Sequence, residues 1–190
     1  MHDTSLFEKA VQFASEAHSG VVRRGKTIPY LLHPLEAAVI VSSVSEDPEL
    51  LAAAVLHDVV EDTPVTLDEI SDVFGYRIAA IVDVLTDRFT PSHVGLSPRE
   101  SWHLRKEDSL ARIEAASRDV KIVVLGDKLS NMRSIARDAE KQGDRLWSSF
   151  KAGSREAIGW YYLGLTNALR DVSDLEPWKE LNKLTSALFS

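Results

Sequence analysis

The sequence predicts an all-α fold made of one domain over residues 1–190. Three observations predict it. Apolar residues recur at helical spacing along almost the whole chain. Helix-start signatures punctuate that pattern at regular intervals. Finally, no pair of alternating strands, internal repeat or low-complexity tract interrupts it. A length of 190 residues is enough for one compact core, and no composition shift suggests a boundary within it.

The elements follow in order. Ser5 and Glu8 read as a capping box, and Leu6, Phe7, Ala10, Val11, Phe13, Ala14 and Ala17 continue at helical spacing, so a first helix is expected to end near His18. Residues 19–32 hold Gly20, Gly25 and Pro29 around a basic cluster and read as an irregular connection. A second helix is expected from Pro34, with His33 as its cap. Asp47 and Pro48 open a third, which runs through Leu50 to about Val60 and stops before Thr63 and Pro64, because the residue before proline avoids the helical region. Thr66 and Glu69 form another capping box, with an end at Gly75 and a further helix from Tyr76 to about Thr86. After a loop over 87–97, Ser97, Pro98 and Glu100 combine a capping serine, a first-position proline and a box glutamate, opening a helix to about Ala116. Helices over roughly 119–140, 145–172 and 177–188 complete the chain.

Composition narrows the function. The sequence has no cysteine, which rules out disulfides and thiolate sites and leaves nitrogen and oxygen as the metal-ligand atoms. A formal charge of −7 repels a phosphate backbone at long range, so no nucleic-acid partner is expected. No membrane partner is expected either, since no apolar run approaches the ~18 residues of a span. The polar, acidic start of the chain is unlike a secretion signal, and a cytoplasmic location is expected. A small anionic ligand would need local positive charge, which a bound cation and the run Arg23, Arg24 and Lys26 would supply.

Leu56, His57, Asp58, Glu61, Asp62 and Thr63 form the most informative stretch, because it crowds four ionisable side chains into an otherwise apolar helix. His57 and Glu61 are four apart, as are Asp58 and Asp62, so all four are expected on adjacent strips converging on one spot. Crowded carboxylates need a compensating charge, which a divalent metal provides directly. Two further ligands are expected. His33 stands at a helix start where Ser, Thr, Asp or Asn is usual. Asp127 interrupts the apolar run Val120–Gly126 and is followed at helical spacing by Asn131 and Ser134. His33, His57, Asp58 and Asp127 make an N2O2 set suited to Mn, Fe, Co or Zn.

These blocks, together with Phe13–His18 and Arg23, Pro29–Pro34, and Val124–Arg133, resemble the HD superfamily. The likeness is greater to the RelA/SpoT-type hydrolase domain and its stand-alone small alarmone hydrolases. The resemblance implies an HD-domain helical bundle in which His33, His57, Asp58 and Asp127 bind Mn2+, with other divalent first-row metals as substitutes. It implies that Glu61 and Asp62 act on the attacking water, and that Arg23, Arg24, Asn131 and Ser134 contact nucleotide and phosphate. The implied reaction is release of 3′-pyrophosphate from guanosine 3′,5′-bis(diphosphate)-type alarmones by metal-activated water. No synthetase or regulatory domain follows, so a hydrolysis-only enzyme is expected. Val21, Gly126 and Ser130 depart from the family's usual glutamine, alanine, and histidine or tyrosine.

Alternatives stay open at the level of sequence. An isolated His-Asp dipeptide is a weak signal, and Arg23, Arg24 and Lys26, or Asn131 and Ser134, could be solvated surface. Tyr161 is expected in the pocket, although the Trp160, Tyr161 and Tyr162 cluster with Trp102 also reads as core. His18 is expected to be structural. Besides the alarmone hydrolase, two functions remain: an HD phosphatase on another small nucleotide (a nucleoside monophosphate, NADPH or an adenosine alarmone), and a non-catalytic nucleotide-binding sensor. The oligomeric state is left open.

Overall fold

The computed structural model describes residues 4–23, 25–87 and 94–190. Helix α1 covers Ser5–Ala17, α2 Leu32–Ser42, α3 Pro48–Leu56, α4 Val59–Asp62, α5 Leu67–Phe74 and α6 Tyr76–Leu85. After the break in the described residues come α7 (Pro98–Ala115), α8 (Arg118–Gln142), a 3₁₀ segment (Gly143–Ser149), α9 (Arg155–Ala168), a second 3₁₀ segment (Arg170–Val172) and α10 (Glu176–Phe189). The all-α expectation holds. Extended pairing among the described residues is limited to an isolated bridge between Val22 and Pro29.

Several predicted starts form for the predicted reasons. Thr66 and Glu69, and Ser97 and Glu100, make complete capping boxes, and the Asp47 side chain accepts from the Glu49 N–H with Pro48 in the first turn. Others differ. Ser5 is the first residue of α1 rather than its cap, and the Thr4 hydroxyl donates to Glu8 Oε1 at 2.8 Å. The second helix begins at Leu32, not Pro34, because the Leu32 and His33 N–H groups already donate to the Pro29 and Tyr30 carbonyls. Pro34 is tolerated inside that first turn, where its missing N–H has no intrahelical partner to lose. His33 is therefore a helical residue and not a cap. The third helix ends at Leu56, and the chain turns at His57 and Asp58 before α4. The long helix expected over 145–172 is instead a 3₁₀ segment, a turn at Gly153 and α9. Gly153 adopts φ +73°, and Ser154 caps the new helix by accepting from the Ala157 N–H. Residues 88–93 of the loop expected over 87–97 lie outside the described residues.

α2, α3 and α8 pack against one another at the centre. Ala37, Ala38 and Val41 of α2, Ala52 to Leu56 of α3 and Val123 to Leu125 of α8 are all buried. Small residues let the backbones come close. A Cβ on Gly126 would lie 2.8 Å from both the Ala37 carbonyl oxygen and Val41 Cγ2, so only glycine fits at that crossing. α2 and α8 carry His33 and Asp127, and His57 follows directly on α3, so the tight crossing fixes their spacing.

Candidate metal centre and adjoining cavity

Four side chains meet where α2, α8 and the turn after α3 come together. His33, His57 and Asp127 are at most 3% exposed. His33, His57 and Asp58 present ligand atoms that lie within 4.8 Å of one another. His57 Nε2 is 2.9 Å from Asp58 Oδ2 and 3.5 Å from Asp127 Oδ1. His33 Nε2 is 3.2 Å from Asp127 Oδ1 and 3.5 Å from Asp58 Oδ2. With metal–ligand bonds of about 2.1 Å, neighbouring ligands sit about 3.0 Å apart in an octahedron and about 3.4 Å apart in a tetrahedron. The observed spacings fall around those values.

Each ligand atom is aimed by a partner on its other side. His57 Nδ1–H donates to the Ala54 carbonyl at 2.8 Å, which leaves Nε2 facing the cluster, buried and without a hydrogen-bond partner. Asp127 divides its oxygens: Oδ2 receives the Lys128 ammonium at 2.6 Å, while Oδ1 accepts from Asn131 Nδ2 at 2.7 Å and faces the imidazoles. The Tyr30 hydroxyl donates to Asp58 Oδ2 at 2.5 Å. An orphaned buried nitrogen among converging carboxylates is the signature of a cation site, and the N2O2 donor set suits a divalent first-row ion.

Electrostatics support this. Burial alone would pull the His57 pKa down, but Asp58 and Asp127 outweigh it and hold it well above its usual value. Burial would raise Asp127, yet Lys128 and the two imidazoles keep it well below the carboxylate range. Asp58 is likewise lowered, against burial, chiefly by His57. The cluster thus favours positive charge at its centre.

Helical spacing from Asp58 to Asp62 is kept across the turn, the Asp62 N–H donating to the Asp58 carbonyl at 2.9 Å. Glu61 and Asp62 stand beside this group: both carboxyls feel the Asp58 charge, and Asp62 also feels His57. Both are open to solvent, but neighbouring atoms displace enough water to raise their carboxyl pKa values, and the Asp58 charge adds to the rise. Glu61 Oε2 accepts from the Asp87 N–H at 3.0 Å, and Asp62 lies close to Tyr30.

Beside the cluster opens a cavity of about 570 Å³ whose lining includes Arg23, Lys26, Tyr30, Asn131, Ser134 and Tyr161. The basic loop and the polar stripe of α8 meet here. Arg23 Nη2 donates to Asn131 Oδ1 at 3.0 Å, and Lys26 Nζ lies 3.1 Å from Ser134 Oγ and 2.8 Å from Asp138 Oδ2. Arg24 lies outside the described residues. Tyr161 presents its ring beneath the Lys106 ammonium, 5.1 Å from the ring centroid, but its hydroxyl is buried without a partner. His18 is buried against Tyr30, ring centroids 4.9 Å apart. Tyr30, Lys106 and Lys128 are further site neighbours; the fold alone brings Lys106 here, whereas Lys128 beside Asp127 and Tyr30 three residues before His33 had a local signal. Other cavities, including one of about 590 Å³ beside Tyr76 and Arg77, hold none of the candidate residues.

The model of the family described as "HD domain" matches residues 10–157. The chain is 35% identical over 137 residues to guanosine-3′,5′-bis(diphosphate) 3′-pyrophosphohydrolase MESH1 of Danio rerio, covering 70% of this chain and 71% of that protein. It is 31% identical over 148 residues to a GTP pyrophosphokinase of Myxococcus xanthus, covering 76% of this chain but 19% of that protein. The chain therefore spans about a fifth of the length of that relative. A solved metazoan SpoT orthologue, described as hydrolysing ppGpp, shares the fold. Its TM-score is 0.77 at 23% identity, with 98% of this chain and 97% of that chain covered. Among the described residues, no helix is long and apolar enough to cross a membrane.

Proposed function

Because the chain belongs to the HD-domain family, we propose that it is a Mn2+-dependent hydrolase of guanosine 3′,5′-bis(diphosphate)-type alarmones that releases the 3′-pyrophosphate. The observation that carries this reading is the convergence of His33, His57, Asp58 and Asp127 beside a cavity lined with Arg23, Lys26, Asn131 and Ser134. The Danio rerio relative, named for this reaction, supports the choice of substrate. The absence of cysteine fits a reducing cytoplasm, where we place the protein.

His33, His57, Asp58 and Asp127 would hold the ion, which when bound supplies Lewis-acid charge and a more acidic water. The chain's own residues do the rest. Arg23, steadied by Asn131 and by its position 5.5 Å from the Tyr30 ring centroid, is placed to bind phosphate oxygens with charge-assisted hydrogen bonds. We assign Arg24 the same task from its sequence position. Lys26 and Ser134 offer further donors on the cavity wall, and Tyr161 walls the pocket. Glu61 and Asp62, whose carboxyls burial raises above their usual values, are suited to take a proton from the attacking water and return one. The water oxygen adds to the phosphorus bonded to the ribose 3′-oxygen. That P–O bond breaks, the 3′-oxygen leaves with a proton, and pyrophosphate departs.

The test is phosphate and pyrophosphate release by the purified protein with Mn2+ from guanosine tetraphosphate, nucleoside monophosphates, NADPH and adenosine alarmones. The reading expects pyrophosphate from the guanosine alarmone above all others, with at least 100-fold loss in Glu61→Gln. Release from another nucleotide alone would reassign the substrate, and binding without release from any would point to a sensor.

A further inference from the structure

The side of His33 facing away from the metal cluster is held by side chains alone. Ser130 on α8 is 1% exposed, and its Oγ lies 2.8 Å from His33 Nδ1. The same hydroxyl donates to Glu36 Oε2 at 2.9 Å. A serine hydroxyl has one hydrogen, and an ionised carboxylate only accepts. With that hydrogen committed to Glu36, the Ser130 oxygen can only accept from His33. Nδ1 must therefore carry a proton, and in the neutral ring Nε2 is left as a lone pair aimed at Asp58 and Asp127.

Glu36 is itself anchored. Arg133 Nη1 is 3.4 Å from Glu36 Oε1, and Arg133 is fastened by two hydrogen bonds of 2.7 Å to Glu180 on α10. A chain of contacts thus runs from α10, outside the segment matched by the family model, to the imidazole of His33. His57 gets the same protonation pattern from a backbone carbonyl, which no side-chain substitution removes. His33 depends on two replaceable side chains.

We propose that Ser130 and Glu36 are positioning residues that fix the tautomer and orientation of His33 and so make its Nε2 a metal ligand. The proposal rests on the metal-site reading above and adds to it the two groups that prepare one ligand. Outer partners of this kind are typically worth 10–100-fold in metal affinity or activity.

The test compares wild type with Ser130→Ala, Glu36→Ala and Ser130→Thr, the last keeping a hydroxyl. Mn2+ affinity is measured by electron paramagnetic resonance of the free ion, and the His33 tautomer by 15N NMR of metal-free protein at a pH where the ring is neutral. Expected are Mn2+ binding weakened about 10–100-fold in both alanine variants and recovery toward wild type in Ser130→Thr. Nucleotide KM should be unchanged once Mn2+ is saturating, and the His33 Nδ1–H pattern should give way to a tautomer mixture. Wild-type Mn2+ affinity and an unchanged tautomer in both alanine variants would overturn the proposal. If the wild type takes up no Mn2+, the metal-site reading fails, and the 15N spectrum still decides the positioning role. Nδ1–H in wild type lost in Ser130→Ala upholds it, and Nε2–H in wild type overturns it. Glu36 is partly exposed, so its variant keeps the test available should Ser130→Ala fold poorly.

Discussion

The residues around the cluster divide into those proposed to hold a cation and those proposed to hold an anion, and Asn131 touches both sets. It donates to Asp127 Oδ1 and accepts from Arg23. Arg23 itself touches no candidate ligand, so its loss is expected to weaken phosphate binding while sparing the metal. Arg23→Ala should raise KM for the alarmone about 10–100-fold, as loss of a charge-assisted contact worth about 1.5–3 kcal/mol implies. Mn2+ affinity should stay within about twofold. Steady-state kinetics beside a metal titration separates the two, and equal damage to both would make Arg23 part of the metal site. The four ligand candidates were legible in the sequence because each is an ionisable residue set in apolar surroundings. Glu36 was not, because nothing local distinguishes a glutamate until another helix supplies its partner, and Ser130 stood out only as a departure from the family's usual residue. Glu61 and Asp62 were legible from the crowding of ionisable side chains after Leu56.

At the scale of elements, the site depends on how closely α2 crosses α8. The missing side chain at Gly126 permits that approach, and Gly126→Ala would set a methyl against the Ala37 carbonyl and Val41. Overpacking of this kind costs about 1–3 kcal/mol, so a matching loss in urea-unfolding stability is expected. Because α2 carries His33 and α8 carries Asp127, weaker Mn2+ binding should accompany it. Unchanged stability would show that the helices part without strain. The capping boxes at Thr66 and Ser97 formed as read, because their partners lie within four residues. The break after Leu56 had no such local marker. His57 and Asp58 are acceptable helix formers, and the chain turns there where His57 is drawn into the cluster. The 3₁₀ segment at Gly143–Ser149 was read as helix because apolar spacing alone does not separate it from an α-helix.

For the whole molecule, two linkages follow. A ligand that binds only the folded state stabilises it by mass action, about 2.7 kcal/mol at 100 times its Kd. Saturating Mn2+ is therefore expected to raise Tm by several degrees and a chelator to reverse it, with Asp127→Asn showing no shift. A similar rise in that variant would move the ion elsewhere. The second linkage concerns Asp87, whose side chain is 8% exposed and paired with Arg105 and Lys106. Burial pushes its carboxyl up, but Lys106, Lys128 and Arg105 outweigh this and hold it below the usual range. A depressed folded-state pKa means that its contribution is complete above the unfolded value near ~3.9 and is lost as pH falls through the lower folded value. Asp87→Asn should therefore be less stable than wild type at pH 7, with the gap closing as pH falls through the depressed folded-state value. A gap that persists in acid would show that the ion pairs are not its source.

The proposed reaction is hydrolysis at the 3′-phosphorus by a water held beside the His33, His57, Asp58 and Asp127 cluster. The measurement that tests it most directly is turnover of guanosine 3′,5′-bis(diphosphate) with Mn2+ in 18O-labelled water, with mass analysis of both products and Asp58→Ala as control. Expected are one 18O in the pyrophosphate, none in the guanosine diphosphate, and no turnover in the variant. Label in the nucleoside, or turnover that survives the loss of Asp58, would contradict it.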